Sequence, residues 1–167
     1  MPRQLSRFDT TLPPAPLLRR LAAMLYDGLI CIALLMVVTM IYTLIHAQII
    51  GPEAYKAMTE AAPGRQDPLL TSILFISLYV FFAYFWTRSG QTLGMQVWHV
   101  RIQNADGSRL SWFQALMRFM MGWLSWALVG AGYWWQLFDK QKMTWTDRFS
   151  ESRTVRVPKP YVKKDGK

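Results

Sequence analysis

Two long runs without a charged residue constrain this chain more than any other feature of its sequence. Residues 28–45 and 69–86 each form a run of 18 positions that contains no Asp, Glu, Lys or Arg. At about 1.5 Å per helical residue, each run extends about 27 Å, and the hydrocarbon core of a bilayer is about 30 Å thick. Both runs therefore predict helices that span a membrane.

Proline and a capping residue indicate where these two helices begin. Pro16 precedes the first run, and proline is well tolerated in a first helical turn, so this helix is predicted over about residues 17–46. Asp67 followed by Pro68 is a good N-cap with proline at the first helical position. The second helix is therefore predicted over about residues 68–88.

A third apolar segment covers residues 111–138. Its helix is predicted to begin at Ser111, because Ser111 and Gln114 have the spacing of a capping box. Gly130 and Gly132 interrupt the apolar part of the segment, and glycines at that depth permit a break in the helix. The sequence therefore predicts a broken third helix.

The distribution of basic residues predicts the orientation of these segments. Four Lys and Arg precede the first run, two lie between the first two runs, four lie from Arg88 to Arg118, and nine follow residue 138. Because Lys and Arg are enriched in the cytoplasmic segments of membrane proteins, the counts around the first two runs predict that the N-terminus lies in the cytoplasm. If the third apolar segment crossed the membrane completely, the residues after 138, which are the most basic part of the chain, would lie outside the cytoplasm. We therefore expect an all-α membrane protein with two full transmembrane helices and a third, re-entrant helical segment.

A short alternating segment separates the second and third apolar segments. Residues 97–103 alternate between apolar and polar side chains, which is typical of a strand, and residues 104–107 have the composition of a turn. This pattern predicts a short cytoplasmic strand-turn element, with which residues 155–157 could pair. One predicted face contains Trp98, Val100 and Ile102, and the other contains His99, Arg101 and Gln103.

Composition and charge limit the class of partner. The chain is 52% hydrophobic and 17% charged, which excludes a disordered protein, and its net charge is +9. The long uncharged runs favour the lipid bilayer and its anionic headgroups over nucleic acid as the partner of this charge. The single cysteine, Cys31, excludes an internal disulfide.

The motifs of common enzymes and metal sites are missing from the sequence. It contains no phosphate-binding Walker loop, no dinucleotide-binding glycine motif and no Gly-x-Ser-x-Gly nucleophile elbow. His46 and His99 have no Cys, His or carboxylate at ligand spacing. We therefore expect no enzymatic activity, no metal and no cofactor.

Charged residues close to the apolar runs are the candidate functional residues. Arg20 and Asp27 lie seven positions apart, which places them on one helix face. Arg118 lies seven positions after Ser111, and a buried cation there requires a carboxylate partner. Because Asp27 and Arg118 lie equally deep, at about 10 Å, we expect them to form an ion pair. The alternative is that Arg19, Arg20 and Asp27 are ordinary interfacial residues.

Several motifs in the same order resemble the RDD family of bacterial integral membrane proteins, which is named for one arginine and two aspartates. The resemblance covers roughly residues 17–157. The motifs are Arg20-Leu-Ala-Ala-Met-Leu-Tyr-Asp27, Gly90-Gln-Thr-Leu-Gly94, Asn104-Ala-Asp-Gly107, Arg118 and Thr144-Trp-Thr-Asp147-Arg148.

The resemblance implies which residues form a polar cluster. Arg20 corresponds to the family arginine, with Arg19 as a near alternative, and Asp27 and Asp147 correspond to the two aspartates. Together with Arg118 they are expected to form an intramembrane polar cluster with a role in transport or in structure.

The chain departs from the family pattern around its second aspartate. The family often has histidine before this aspartate and Gly-Thr shortly after it, whereas this chain has Thr146, and Glu151 followed by Ser152. A mechanism that needs an imidazole at this position is therefore not expected.

The resemblance also implies location and a general role. It predicts a multi-pass protein of the bacterial inner membrane that contributes to cation, proton or solute transport. Two or three short membrane spans are too few to surround a transport path, so a homo-oligomer or a partner membrane subunit is expected. The alternative is a non-catalytic membrane scaffold or accessory subunit. The predicted organisation is an extended cytoplasmic leader (1–15), the transmembrane domain (16–157) and a flexible basic tail (158–167).

We predict that both termini face the cytoplasm. A reporter that is active only in the periplasm should be inactive when it is fused after Lys167, because the nine basic residues that follow residue 138 favour the cytoplasmic side. The same reporter inserted in the connection of residues 47–67 should be active and is the control. Periplasmic activity after Lys167 would instead establish a third full crossing.

Overall fold

The computed structural model describes residues 10–62, residue 64 and residues 67–158. This part of the chain is mainly helical. In chain order the elements are α1 (Leu17–Ile50), α2 (Pro52–Ala61), α3 (Pro68–Arg88), α4 (Leu93–Val97), β1 (Val100–Asn104), α5 (Trp112–Ala127), α6 (Ala131–Phe138), α7 (Trp145–Phe149) and β2 (Ser152–Arg156).

These elements form two compact units. The first unit contains the described residues up to Asp27 and those from Phe82 onward, so it includes the beginning of α1, the end of α3 and everything after α3. The second unit, Gly28–Phe81, contains the rest of α1, the helix α2 and most of α3.

The helices α1 and α3 are long and apolar enough to cross a membrane. The second predicted helix is confirmed at both ends, and the first continues to Ile50, beyond the predicted residue 46. Asp67 caps α3 as expected, because its carboxylate accepts hydrogen bonds from the backbone N–H groups of Leu69 and Leu70. Large apolar side chains along both helices are exposed, as a lipid environment permits.

The beginning of α1 differs from the rest of this helix. With 34 residues, α1 reaches about 51 Å, which exceeds the thickness of the hydrocarbon core. All its buried residues lie in its first eleven positions, at intervals of three or four: Leu17, Arg20, Ala23 and Asp27. This spacing places them on one face, so the beginning of α1 packs into the first unit.

The third apolar segment is a broken helix, as its glycines predict. The capping box is present, since the Gln114 backbone N–H donates to the Ser111 hydroxyl and the Ser111 N–H donates to the Gln114 side chain. The break between α5 and α6 contains Val129 and Gly130, with φ angles of 54° and 77°. A left-handed conformation at two successive positions ends α5 and redirects the chain into α6.

The predicted pairing of the two strand segments is confirmed. The strands β1 and β2 are antiparallel, and Arg101 pairs with Val155 in their register. Val100 and Ile102 of β1 are fully buried. The strand begins later than predicted, because Trp98 caps the end of α4 and His99 has a φ of 53°, which is incompatible with a strand. The sequence pattern did not indicate α4 or α7.

The last described residues of the predicted leader pack on β2. The Ala15 backbone N–H donates to the Thr154 carbonyl at 2.9 Å, and the Arg156 N–H donates to the Pro13 carbonyl at 2.8 Å. Residues 13–15 therefore continue the two-stranded sheet as a short extended segment. The beginning of the leader (1–9) and nearly all of the predicted basic tail (158–167) lie outside the described residues.

A close backbone contact joins α4 to α1. A Cβ atom at Gly94 would lie 2.3 Å from the Ala23 carbonyl oxygen and 2.9 Å from Oδ1 of Asp27. Distances below 3.0 Å do not occur between such atoms, so only glycine allows this approach.

We predict that Gly94→Ala destabilises the protein by about 1–3 kcal/mol, because the added methyl group forces α4 away from α1. The measurement is thermal or denaturant unfolding of the purified protein in detergent. Gly28→Ala is the matched control in α1. A Cβ atom at Gly28 meets nothing within 4 Å, and alanine favours a helix, so this variant should be neutral or slightly stabilised. Equal losses in the two variants would contradict the prediction.

Candidate functional site

Asp147 is the centre of a buried polar cluster in the first unit. Asp147 is fully buried and occupies the third position of α7, where it forms a capping box with Thr144. The Asp147 N–H donates to the Thr144 hydroxyl, and the Thr144 N–H donates to Oδ2 of Asp147, both at 3.3 Å. The local sequence of α7 therefore fixes the position of this carboxylate.

Two arginines from distant parts of the chain bind opposite oxygens of this carboxylate. Nη1 of Arg20, from α1, donates to Oδ2 of Asp147. Nη1 of Arg118, from α5, donates to Oδ1 at 2.8 Å. Both arginines are only 6% exposed. The carboxylate thus links the beginning of α1 to α5, and we call Arg20, Arg118 and Asp147 the RDR cluster.

Neutral oxygens from β2 and the leader complete the hydrogen bonding of the RDR cluster. Arg20 donates through Nε to the Ala15 carbonyl and through Nη2 to the Thr154 carbonyl, both at 3.1 Å. Arg118 donates to the Ser152 hydroxyl at 2.8 Å and to the Thr154 hydroxyl at 2.7 Å. The Thr154 hydroxyl in turn donates to Oδ1 of the aspartate at 2.6 Å. Such contacts reduce the cost of burying the charges.

The electrostatics of the RDR cluster keep Asp147 ionised. Burial by itself would raise the pKa of Asp147, but the charges of Arg20 and Arg118 and the hydrogen bond from Thr154 outweigh it, so this pKa lies well below the usual aspartate range. Two guanidinium groups therefore face one carboxylate. The RDR cluster carries one positive charge in excess.

Asp27 lies in a separate contact. It is 2% exposed, and its carboxylate accepts hydrogen bonds from the Thr92 hydroxyl and from the Gly94 backbone N–H, the latter at 2.8 Å. Among the described residues, no Lys, Arg or His lies within ion-pair distance of Asp27. Asp27 is therefore a buried carboxylate with only neutral donors around it.

The predicted ion pair between Asp27 and Arg118 is wrong. Arg118 binds Asp147 instead, because α7 and β2 return the end of the chain to α5. The equal depth of Asp27 and Arg118 on their two helices does not determine which carboxylate lies next to Arg118. The structure also separates the two neighbouring arginines of α1, since Arg20 joins the RDR cluster and Arg19 donates to the Trp98 carbonyl at 3.2 Å.

Sequence reasoning missed the neutral partners of these charges. Thr92 and Thr144 lie within the two motifs quoted for the family resemblance, but their roles as caps and hydrogen-bond donors were not recognised. A threonine that precedes a short helix is a usable signal for an N-cap. Ser152 and Thr154 carried only the weak signal of alternation in a short strand. No group of three or more metal-binding side chains occurs within the described ranges.

Comparison with protein families agrees with the resemblance of the motifs. The family described as the RDD family matches residues 14–151, which is well over half of the chain. The matched region includes Arg20, Asp27, Arg118 and Asp147. The chain therefore belongs to the RDD family, and with its two apolar helices it is a membrane-associated member of that family. No curated protein and no solved structure gives a match.

We predict that Asp147→Asn destabilises the protein by about 3–5 kcal/mol, because it leaves two buried guanidinium groups without a counter-charge. Unfolding of the purified protein in detergent measures the loss. Because the fold lowers the pKa of Asp147, the stabilisation is present above the usual aspartate pKa and is lost only as the pH falls below it. The difference from the unmodified protein should therefore stay constant from about pH 8 to about pH 5.

Asp139→Asn is the matched control for this prediction. Asp139 also pairs with an arginine, Arg148, but the Arg148 side chain is 48% exposed. The asparagine retains an oxygen that can accept the hydrogen bond from the Met143 N–H. We expect a clearly smaller loss of stability, because water screens this pair. Equal losses at the two positions would refute a special role of the RDR cluster.

Proposed function

We propose that this protein is a multi-pass inner-membrane component of cation or proton transport, without catalytic chemistry or a cofactor of its own. Its termini face the cytoplasm in this proposal, and the third apolar segment enters and leaves on that side. Contacts within the first unit support this topology. The leader before α1, the strand β1 after α3 and the strand β2 after α6 form one sheet. Gln136 of α6 also donates to the Ala15 carbonyl at 2.8 Å.

Asp27 is the exchangeable carboxylate in this proposal. The observation that carries it is the neutral surroundings of Asp27, whose partners are the Thr92 hydroxyl and the Gly94 N–H. A hydroxyl can rotate from donor to acceptor when the carboxylate takes up a proton, so protonation at Asp27 breaks no ion pair. Protonation at Asp147 would leave two arginines unpaired. The transported proton or cation is therefore assigned to Asp27 and the fixed charges to the RDR cluster.

Assembly with further membrane helices forms part of the proposal. Two long apolar helices and a broken third segment are few to surround a polar path through a bilayer. The exposed apolar side chains of the helices offer surface to lipid, to a second copy of the chain or to a partner membrane subunit. We propose a homo-oligomer as the working form.

A scaffold without transport is the second candidate function. The observation that favours it is the RDR cluster itself, in which hydrogen bonds join α1, α5, α7 and β2 around a single carboxylate. Such a network fixes how these elements pack and needs no moving charge. In this case Asp27 would only hold α4 against α1.

We predict that Asp27→Asn abolishes cation-driven or proton-driven flux in proteoliposomes at normal membrane abundance, because asparagine keeps the hydrogen-bond acceptor but cannot exchange a proton. Flux is measured with a pH-sensitive dye inside the vesicles, and abundance by immunoblotting of isolated membranes. Asp106→Asn is the matched control, since Asp106 is exposed in the turn after β1. It should leave flux and abundance unchanged.

The outcome separates the two candidate functions. If the Asp27→Asn variant has reduced membrane abundance and the unmodified protein shows no flux in proteoliposomes, the result favours the scaffold and overturns the transport proposal. Thr92→Val provides a second test, because it removes the hydroxyl from Asp27 while the carboxylate remains. Transport predicts a shift in the pH dependence of flux in this variant.

A further inference from the structure

A cavity of about 260 Å³ lies next to the RDR cluster in the first unit. Arg20 forms part of its wall, and the other parts come from the leader, the connection between α6 and α7, and β2. The basic side chains in this lining are Arg20, Lys142 and Arg153. The lining residues that the structure describes include no Asp or Glu.

The charges around this cavity are not balanced. Asp147 binds both Arg20 and Arg118, so it neutralises only one of the two buried cations. The acidic residue close to Lys142 in sequence is Asp139, and its carboxylate already accepts hydrogen bonds from Arg148 and from a backbone N–H. An anion in the cavity would supply the missing negative charge at the Arg20 side of the cluster.

The backbone holds Lys142 at the edge of the cavity. Lys142 has a φ of 55°, which a residue with a side chain rarely adopts. Its carbonyl oxygen accepts a hydrogen bond from Nη2 of Arg20 at 3.4 Å. This contact ties the connection after α6 to the guanidinium of the cavity wall. Arg153, on β2, is exposed and also lines this cavity.

We propose that this cavity is a binding site for a phosphate group. Arg20 forms a rigid wall, because five protein oxygens accept hydrogen bonds from its guanidinium, so it contributes fixed positive charge. Lys142 and Arg153 are exposed, and the Lys142 ammonium donates to the Leu137 carbonyl at 3.2 Å in an exposed contact that a charged acceptor can replace. A cavity whose described lining contains guanidinium and ammonium groups and no carboxylate suits the oxygens of a phosphate. The phosphate belongs either to an anionic phospholipid or to a small soluble molecule, and Leu12 and Pro14 add an apolar wall.

Ligand binding to the purified full chain tests this site and its source of phosphate. The lipid probe is phosphatidylglycerol, with phosphatidylcholine as the zwitterionic comparison, and native mass spectrometry counts the bound lipids. The soluble probe is inorganic phosphate, followed by titration calorimetry in a phosphate-free buffer. The test variant is Lys142→Gln with Arg153→Gln, which leaves the RDR cluster intact.

A second double variant controls for net charge. Lys140→Gln with Arg156→Gln removes the same charge from exposed positions outside the cavity lining. We expect the test variant to bind its probe at least about tenfold more weakly, because two charge-assisted contacts are lost. The control should bind like the unmodified chain, and both variants should unfold at nearly the same temperature as the unmodified chain.

Each outcome decides the proposal. If the unmodified chain retains phosphatidylglycerol and the test variant loses it, the site binds a lipid headgroup. If the unmodified chain binds inorganic phosphate in calorimetry and the test variant does not, the site binds a soluble phosphate. Absence of both kinds of binding overturns the proposal. Equal losses in the test and control variants also overturn it, because they would show attraction by net charge alone.

Discussion

The carboxylate of Asp147 holds together parts of the chain that are far apart in sequence. It lies on a helix of five residues, α7, and binds Arg20 from the beginning of α1 and Arg118 from α5. A buried charge is stable only when counter-charges and hydrogen bonds surround it. The packing of α7 and β2 against α1 and α5 therefore depends on this one residue.

Asp27 and Asp147, which the motif resemblance matches to the two aspartates of the family, have different chemical surroundings in this protein. Asp147 lies between two cations, which lower its pKa, and it serves as a fixed charge. Asp27 has a hydroxyl and a backbone N–H as its partners. In the proposed transport function, this contrast gives Asp147 a structural role and gives Asp27 the exchange of a proton or cation. The excess positive charge of the RDR cluster links the structural role to the phosphate site proposed beside Arg20.

Local sequence signals predicted the helices well and the site only in part. Asp67 and Ser111 marked helix starts because caps act within three residues of the chain. The pairing of the strands followed from alternation near Arg101 and Val155. The short helices were missed, because five residues carry too little periodicity to be recognised.

The sequence by itself determined that the chain is mainly helical and that two of its helices are long and apolar enough for a membrane. It also selected Arg20, Asp27, Arg118 and Asp147 as candidate functional residues, and the structure buries all four of them. Apolar length, caps and motif spacing are local properties and can be read along the chain. Only the tertiary structure decided which carboxylate each arginine binds. Ion pairing depends on distances across elements separated by up to 127 positions, and helical spacing contains no information about those distances.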